Sequence, residues 1–292
     1  MWISMLGGSE MSKAQKGEEQ AEPEEPKVFI GIPTGPAKLY STYYMIGALA
    51  NLDYSNYEVH WAVTGGYRNL VFGDFKRRLT KFMEAVKWRE KIKWFIHYVP
   101  LTKKEFIIKY TPILRNKTVL RDEFLDGDAE YFLLCGGDNP PPRNAVKRLL
   151  KVGADVSIGV CYQRPEVDQK RGVYPLLWRF AWMPTELDKF TDLHPLVLEE
   201  LRLAWLHCAS MIPLMFDPNW RRRKTVWGIT GGDGCALIKR EVLEMVDWGI
   251  TPDNAYHSED IHFMALALWH GFSTAVAPDL HIPHFDPDGV AY

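Results

Sequence analysis

The chain has 292 residues, with 35 Lys and Arg against 37 Asp and Glu, for a formal charge of -2 at pH 7. That length allows one large α/β domain or two modest ones, and 47% hydrophobic with 25% charged residues is ordinary globular composition, open to enzyme and binding module alike. The near-neutral balance offers no basic face for neutralising phosphates, so nucleic acid is not an expected partner. Residues 1–26 carry Glu10, Glu18, Glu19, Glu22, Glu24 and Glu25 among Gln, Ala and Pro with no apolar period. This is the composition of a disordered acidic tail. The start MWISMLGG is too short and lacks the basic flank of a signal peptide.

From residue 27 to residue 292 a single domain is expected. Val28 to Pro33 reads as a buried strand, broken by Thr34, Gly35 and Pro36, before a helix with Tyr43, Ile46, Leu49 and Ala50 on one face. Tyr57 to Thr64 reads as a second strand, and Phe75, Leu79, Phe82, Met83 and Val86 as the stripe of a long amphipathic helix. Trp94 to Val99 is a third strand. Thr111 and Pro112 open a helix that turns Leu114, Leu120 and Phe124 to the sheet.

The stretch Glu130 to Arg143, EYFLLCGGDNPPPR, anchors the reading. Tyr131 to Leu134 form a short apolar run stopped by two glycines, as in a buried parallel strand. Pro140, Pro141 and Pro142 cannot continue a ladder, and Ala145, Val146, Leu149 and Leu150 share a helical face. Asp138 and Asn139 therefore sit on a strand-to-helix turn, where open α/β sheets bind ligands. A cap on that turn is the plainer role for either side chain.

Further on, Arg143 to Val152 reads as a helix and Asp155 to Cys161 as a strand. Residues 163–224 break the rhythm with Trp178, Trp182, Trp205, Trp220, several prolines and a helical stretch from Leu196 to Leu206. They are read as a Trp-rich insertion packed on one end of the sheet. A glycine-rich loop over Val226–Gly234, a short strand and helix over Leu237–Val246, a helix over Glu259–His270 and a last strand over Ser273–Ala277 complete the domain. Four rounds of alternation predict a Rossmann-like α/β domain, a mostly parallel sheet with helices on both faces. The cysteines, Cys135, Cys161, Cys208 and Cys235, form no CxxC pair, so reduced thiols in a cytoplasmic protein are expected. No window approaches ~18 uninterrupted apolar residues, so no transmembrane helix is expected and only a peripheral membrane association stays open.

Taken in order, IGIPTG (30–35), LRNKTVLRDEFL (114–125), GGDNPPP (136–142), DVSIGVCYQR (155–164), GGDGCALIKREVLE (231–244), SEDIHFMALALWHGF (258–272) and DLHIPHF (279–285) resemble a GT-A fold glycosyltransferase of the broad family-2-like group. The resemblance spans most of the chain outside the insertion. It implies transfer of a hexose from a nucleotide-diphosphate sugar to a hydroxyl acceptor, whether glycan, lipid-linked or small molecule. It assigns donor binding to Pro33, Thr34, Gly35, Arg115, Asn116, Asp138, Asn139, Gly232 and Asp233. Arg115 would use its planar fork on phosphate oxygens.

The family's acidic motif usually holds two or three carboxylates before Asn-Pro-Pro, whereas this chain keeps only Asp138 after Gly136 and Gly137. The resemblance makes Asp138 and His284 ligands of Mn²⁺ or Mg²⁺, with His281 a weaker candidate; imidazole favours Mn²⁺. It makes Asp260 the general base of an inverting transfer, with Glu259 orienting the acceptor. Read from the residues alone, both acids also suit the first turn of a helix, with Ser258 as its cap. Retention, a nucleotide-sugar binding module without turnover, and a nucleotidyltransferase on a similar sheet are the alternatives.

Overall fold

The computed structural model describes residues 25–65, 70–85, 92–102, 105, 111–163, 174–175, 178–180, 211–213, 219–249 and 259–287. The tail before residue 25, the helix expected over Leu196–Leu206, Trp182, Trp205, Cys208 and Ser258 lie outside the described residues, as does most of the insertion. In chain order the elements are β1 (Val28–Thr34), α1 (Thr42–Ala50), β2 (Tyr57–Gly65), α2 (Leu70–Ala85), β3 (Lys93–Pro100), α3 (Thr111–Asp126), β4 (Tyr131–Cys135), α4 (Ala145–Leu150) and β5 (Val156–Gln163). Then come three short strands, β6 (Tyr174–Pro175), β7 (Trp178–Phe180) and β8 (Met211–Pro213), and β9 (Val226–Trp227) and β10 (Ile229–Thr230). The last are β11 (Cys235–Lys239), α5 (Arg240–Met245), α6 (Glu259–Trp269) and β12 (Thr274–Ile282).

The main sheet runs β3-β2-β1-β4-β11-β5-β12-β9, with β6 beside β5, while β10, β7 and β8 form a small sheet of their own. β1, β2, β3 and β4 are parallel neighbours, and β12 is parallel to β5. β11 runs antiparallel to both β4 and β5, so β5 points the same way as β4. The sheet is thus mostly parallel, as the alternation of elements predicts. One edge gathers the C-terminal ends of β1, β4, β5 and β12 with the N-terminal end of β11.

Alternation along each strand splits the core in two. Val28, Ile30 and Ile32 of β1 pack with α1, α2 and α4 through Met45, Leu49, Phe75, Leu79 and Leu149. Phe29 of the same strand joins α3, α5 and α6 on the other face through Leu120, Phe124, Val242, Phe263 and Met264. Helices therefore cover both faces, and strands buried on both sides read as the continuous apolar runs VFIGI and YFLLC.

Four local expectations change. Tyr43 is 47% exposed, because α1 packs through Met45, Ile46, Leu49 and Ala50 and leaves Tyr43 at the rim, edge-on to Phe82. The loop over Val226–Gly234 contains β9 and β10. The last strand continues past Ala277 to Ile282, since Pro278 falls in a register shift where the ladder needs no donor from it. His281 is therefore an exposed strand residue beside Tyr162, not part of a loop. Glu25 and Pro26, expected in the tail, are held to the domain: Asn56 Nδ2 donates to the Glu25 carbonyl at 2.7 Å and Tyr54 Oη to the Pro26 carbonyl at 2.5 Å.

Candidate active site

The site grows from the turn after β4. Gly136 N donates to Gly234 O at 2.8 Å, stitching this turn to the one before β11. Close approach explains two of the glycines. A Cβ on Gly137 would lie 2.8 Å from Thr34 Oγ1 and 3.1 Å from the Pro33 carbonyl. One on Gly234 would lie 2.7 Å from Cys161 Sγ and 2.8 Å from Asn139 Oδ1. These glycines let the ends of β1, β4 and β11 converge.

Asp138 is 5% exposed and heavily engaged. Lys38 Nζ lies 2.6 Å from Oδ1, and His284 Nε2 lies 3.3 Å from Oδ2. Tyr40 Oη reaches Oδ2 at 3.5 Å and the Phe285 carbonyl at 3.2 Å, and Phe285 N donates to the Asp138 carbonyl at 3.0 Å. Burial works to raise the Asp138 pKa, but the His284 hydrogen bond and the Lys38 ammonium outweigh it and hold it down at about 2. The bond to Asp138 in turn raises His284 above its ordinary value, against the effect of burial. Burial and the Asp138 charge push the Tyr40 hydroxyl up to about 12. His284 Nδ1 stands 3.1 Å from the Tyr162 carbonyl, which places a proton on Nδ1 and turns Nε2 toward Asp138.

A second charged group adjoins through the β11 turn. Lys117 is 1% exposed, with Nζ 2.5 Å from Asp233 Oδ2 and 3.2 Å from Glu259 Oε1. Burial lowers the Lys117 pKa, yet Asp233, Glu259 and Asp260 together hold it above its ordinary value. Burial raises Asp233; Lys117 opposes this, while Asp260 and Glu259 add to it. Among the described residues, Lys117 thus pairs with Asp233 and Glu259, with the Asp260 charge nearby. Asp260 Oδ2 accepts from Gly232 N at 2.9 Å, and Oδ1 accepts from its own helix at Ile261 N, 2.8 Å. Asp260 stands in the first turn of α6, where negative charge is favoured.

Of the residues singled out in the sequence, Asp138, Asn139, His284, Gly232, Asp233, Glu259 and Asp260 meet along this edge. Thr34 joins them, since its carbonyl accepts from Asn116 Nδ2 at 2.8 Å and from Thr64 Oγ1 at 3.3 Å. Pro33 and Gly35 flank it at the end of β1. Asn116 is 2% exposed and fastens α3 to β1. Arg115 takes another direction: it pairs with Glu105 at 2.8 Å, its side chain half exposed. At ~100° per helical residue Arg115 lies about 200° around α3 from the buried Lys117, so it projects from the other side of the helix.

Lys38, Tyr40 and Lys117 were not read from the sequence. Lys117 carried a signal: it lies on the apolar stripe of Leu114, Leu120 and Phe124, three residues from each of the first two. A lysine on such a stripe needs a buried acid. Lys38 and Tyr40 carried none, as their 3-10 turn over Pro36–Ser41 has no period that points at Asp138.

No protein-family model matches the chain, and no curated protein matches it in sequence. Its described architecture is similar to solved structures of S. aureus TarS. For TarS 1–349 in complex with UDP the identity is 12% and the TM-score 0.46, covering 88% of this chain and 59% of that one. For TarS 1–349 in complex with UDP-GlcNAc the identity is 11% and the TM-score 0.42, covering 88% and 57%. The chain therefore spans somewhat over half the length of these structures.

Proposed function

We propose that the chain is a glycosyltransferase that holds a nucleotide-diphosphate sugar at this edge of the sheet and passes the hexosyl group to a hydroxyl acceptor. The observation that carries the reading is the pairing of two chemically distinct groups across one stitched turn. Lys38 and His284 around Asp138 form a cationic pocket suited to a diphosphate, and Asp260 and Glu259 beside Gly232 supply carboxylates suited to a hydroxyl. The acceptor oxygen bonds to the anomeric carbon, the bond from that carbon to the diphosphate oxygen breaks, and its electron pair leaves with the diphosphate. Asp260 takes the hydroxyl proton, and attack opposite the diphosphate gives inversion.

With its Nε2 proton released, His284 would offer an imidazole nitrogen beside Asp138 Oδ2, a pair that fits Mn²⁺ better than Mg²⁺. Such a cation would offset charge on the departing diphosphate. Lys38 holds the other Asp138 oxygen and brings positive charge to the same place.

The test is a panel of UDP- and GDP-sugars with and without Mn²⁺, scored for transfer and hydrolysis. Wild-type turnover that falls ~10²–10⁴-fold in Asp260→Asn, with donor affinity kept, supports the reading. Undiminished turnover in that variant removes Asp260 as base. A second reading, a donor-binding module without turnover, draws on the loss of the family's other acids at Gly136 and Gly137. Tight donor binding in calorimetry with no product under any cation would establish it, and pyrophosphate release from a nucleoside triphosphate would indicate a nucleotidyltransferase.

A further inference from the structure

His60 on β2, His97 on β3 and Glu123 on α3 come together on the α3 face of the sheet. In the parallel register His60 stands opposite Phe95 and His97 opposite Ala62, so the two imidazoles are diagonal neighbours on one face. Their rings are near coplanar, 6° apart, and His60 Nδ1 lies 3.0 Å from His97 Nε2. Glu123 Oε1 lies 3.4 Å from His97 Nδ1. Each of the three residues brings one donor atom to within 4.8 Å of the others.

We propose that His60, His97 and Glu123 form a divalent-metal site of the zinc class, separate from the candidate active site, that ties the edge strand β3 to β2 and α3. His60 precedes Thr64 by four residues, roughly 13 Å along the strand, so the site shares no side chain with the Asp138–His284 pair. Two imidazoles bound to one ion at about 2.0–2.1 Å have their nitrogens about 2.8–3.4 Å apart at right to tetrahedral angles; this pair stands within that distance, and its rings, which now meet head-on, turn to share the ion.

The protons argue the same way. His60 is 5% exposed, and its Nε2 has no hydrogen-bond partner among the described residues. Glu58 Oε1 is the acid it faces, at 3.5 Å. With an ion on Nδ1, the proton belongs on Nε2 and points at that carboxylate, the arrangement that orients metal-binding histidines. Phe29 and Phe95 stack on the His60 ring at 3.9 Å and 4.4 Å and fix its plane. Burial also lowers the pKa of both histidines, His60 to about 3, so both are neutral at pH 7, as ligation requires. Glu123, its side chain 46% exposed, opens the site to solvent; its Oε1 now faces the outer nitrogen of His97, and it supplies the carboxylate by turning toward the ion, one of its oxygens already lying within 4.8 Å of a donor nitrogen of each histidine. The donor set of two imidazoles and one carboxylate suits Zn²⁺, with solvent completing the shell.

Cobalt is the probe, because bound Co²⁺ absorbs visible light. The full chain, stripped with chelator, is titrated with Co²⁺ as wild type and as Asp138→Asn, which weakens the Asp138–His284 pair. The expected result is one equivalent bound in Asp138→Asn, weakened at least tenfold by adding Glu123→Gln and ~100-fold by adding His97→Gln. Glu123→Gln is a half-exposed change that leaves the fold intact, so it keeps the test open if His97→Gln unfolds. In parallel, Zn²⁺ should raise the melting temperature of Asp138→Asn, and raise it less once Glu123→Gln is added. No Co²⁺ bound in Asp138→Asn, or equal binding with and without Glu123→Gln, overturns the site and leaves the histidines sharing only an N–H···N bond.

Discussion

Lys117 is the residue on which the site's charge balance rests. It is the buried cation between Asp233 and Glu259, and its removal leaves two carboxylates facing each other out of water. Lys117→Met should therefore destabilise the fold by about 3–5 kcal/mol in urea titration, and Lys117→Met with Asp233→Asn should recover part of the loss. Recovery is the telling result, since it separates charge imbalance from lost packing. Gly137 makes a steric counterpart. Gly137→Ala places a methyl 2.8 Å from Thr34 Oγ1 and 3.1 Å from a backbone carbonyl that cannot swing away. A loss of about 1–3 kcal/mol follows, with weaker donor binding in calorimetry as the Asp138 turn shifts. At this scale the motif residues were legible because GGDNPPP and GGDG mark turns, and turns are local. Arg115 shows the limit: its motif neighbour Asn116 faces inward, while the guanidinium meets Glu105.

Elements are held in place by side chains that cap or stitch their ends. Arg240, first residue of α5, donates to the carbonyls of Phe124, Leu125, Gly127 and Ala129 at 2.9, 3.1, 2.9 and 2.9 Å. These include the open carbonyls at the C-terminal end of α3, and the guanidinium also lies 4.5 Å from the Phe124 ring centre. Arg240→Ala should cost about 2 kcal/mol, read as a lower melting temperature, whereas a change under a few tenths would show that water replaces the cap.

Asp155 stitches β5 to β12. Its carboxylate accepts from Ser273 N and Oγ at 2.8 and 2.7 Å and from Lys239 Nζ at 2.8 Å. Burial opposes the charge, but Lys239 and Ser273 outweigh it and hold the Asp155 pKa below its ordinary 3.8. A depressed carboxyl stabilises the fold above its unfolded pKa and loses that contribution as pH falls through the folded one. Asp155→Asn should therefore be less stable than wild type at pH 7, with the gap closing in acid below about pH 4. Strands and helices were legible at this scale wherever apolar period and Gly or Pro punctuation agreed. The direction of β11 was not, because CALIK is equally apolar whichever way it runs.

Across the whole molecule, the candidate site draws on both parts of the sheet. Lys38, Tyr40 and Asp138 follow β1 and β4, whereas His284 follows β12 and Asp233, Glu259 and Asp260 come from the β11 turn and α6. A donor bound there contacts segments over 200 residues apart, so its binding energy adds to the stability of the whole fold. A saturating nucleotide-diphosphate sugar at 100 times its Kd should raise stability by about 2.7 kcal/mol, seen as a higher melting temperature. Asp138→Asn should shrink that shift, and no shift with any donor would remove this edge as a donor site.

The amino-acid order alone established the rhythm of strands and helices, the two-sided burial of the sheet, the turns bearing Asp138 and Asp233, and the helix start bearing Asp260. Each follows from neighbours within a few residues, where side-chain period and backbone limits act. Three-dimensional packing alone established that Lys117 lies between Asp233 and Glu259, that Lys38 meets Asp138, and that His60, His97 and Glu123 form a cluster. Those contacts join side chains 26 to 142 positions apart. They depend on strand order and helix register, which no local pattern encodes.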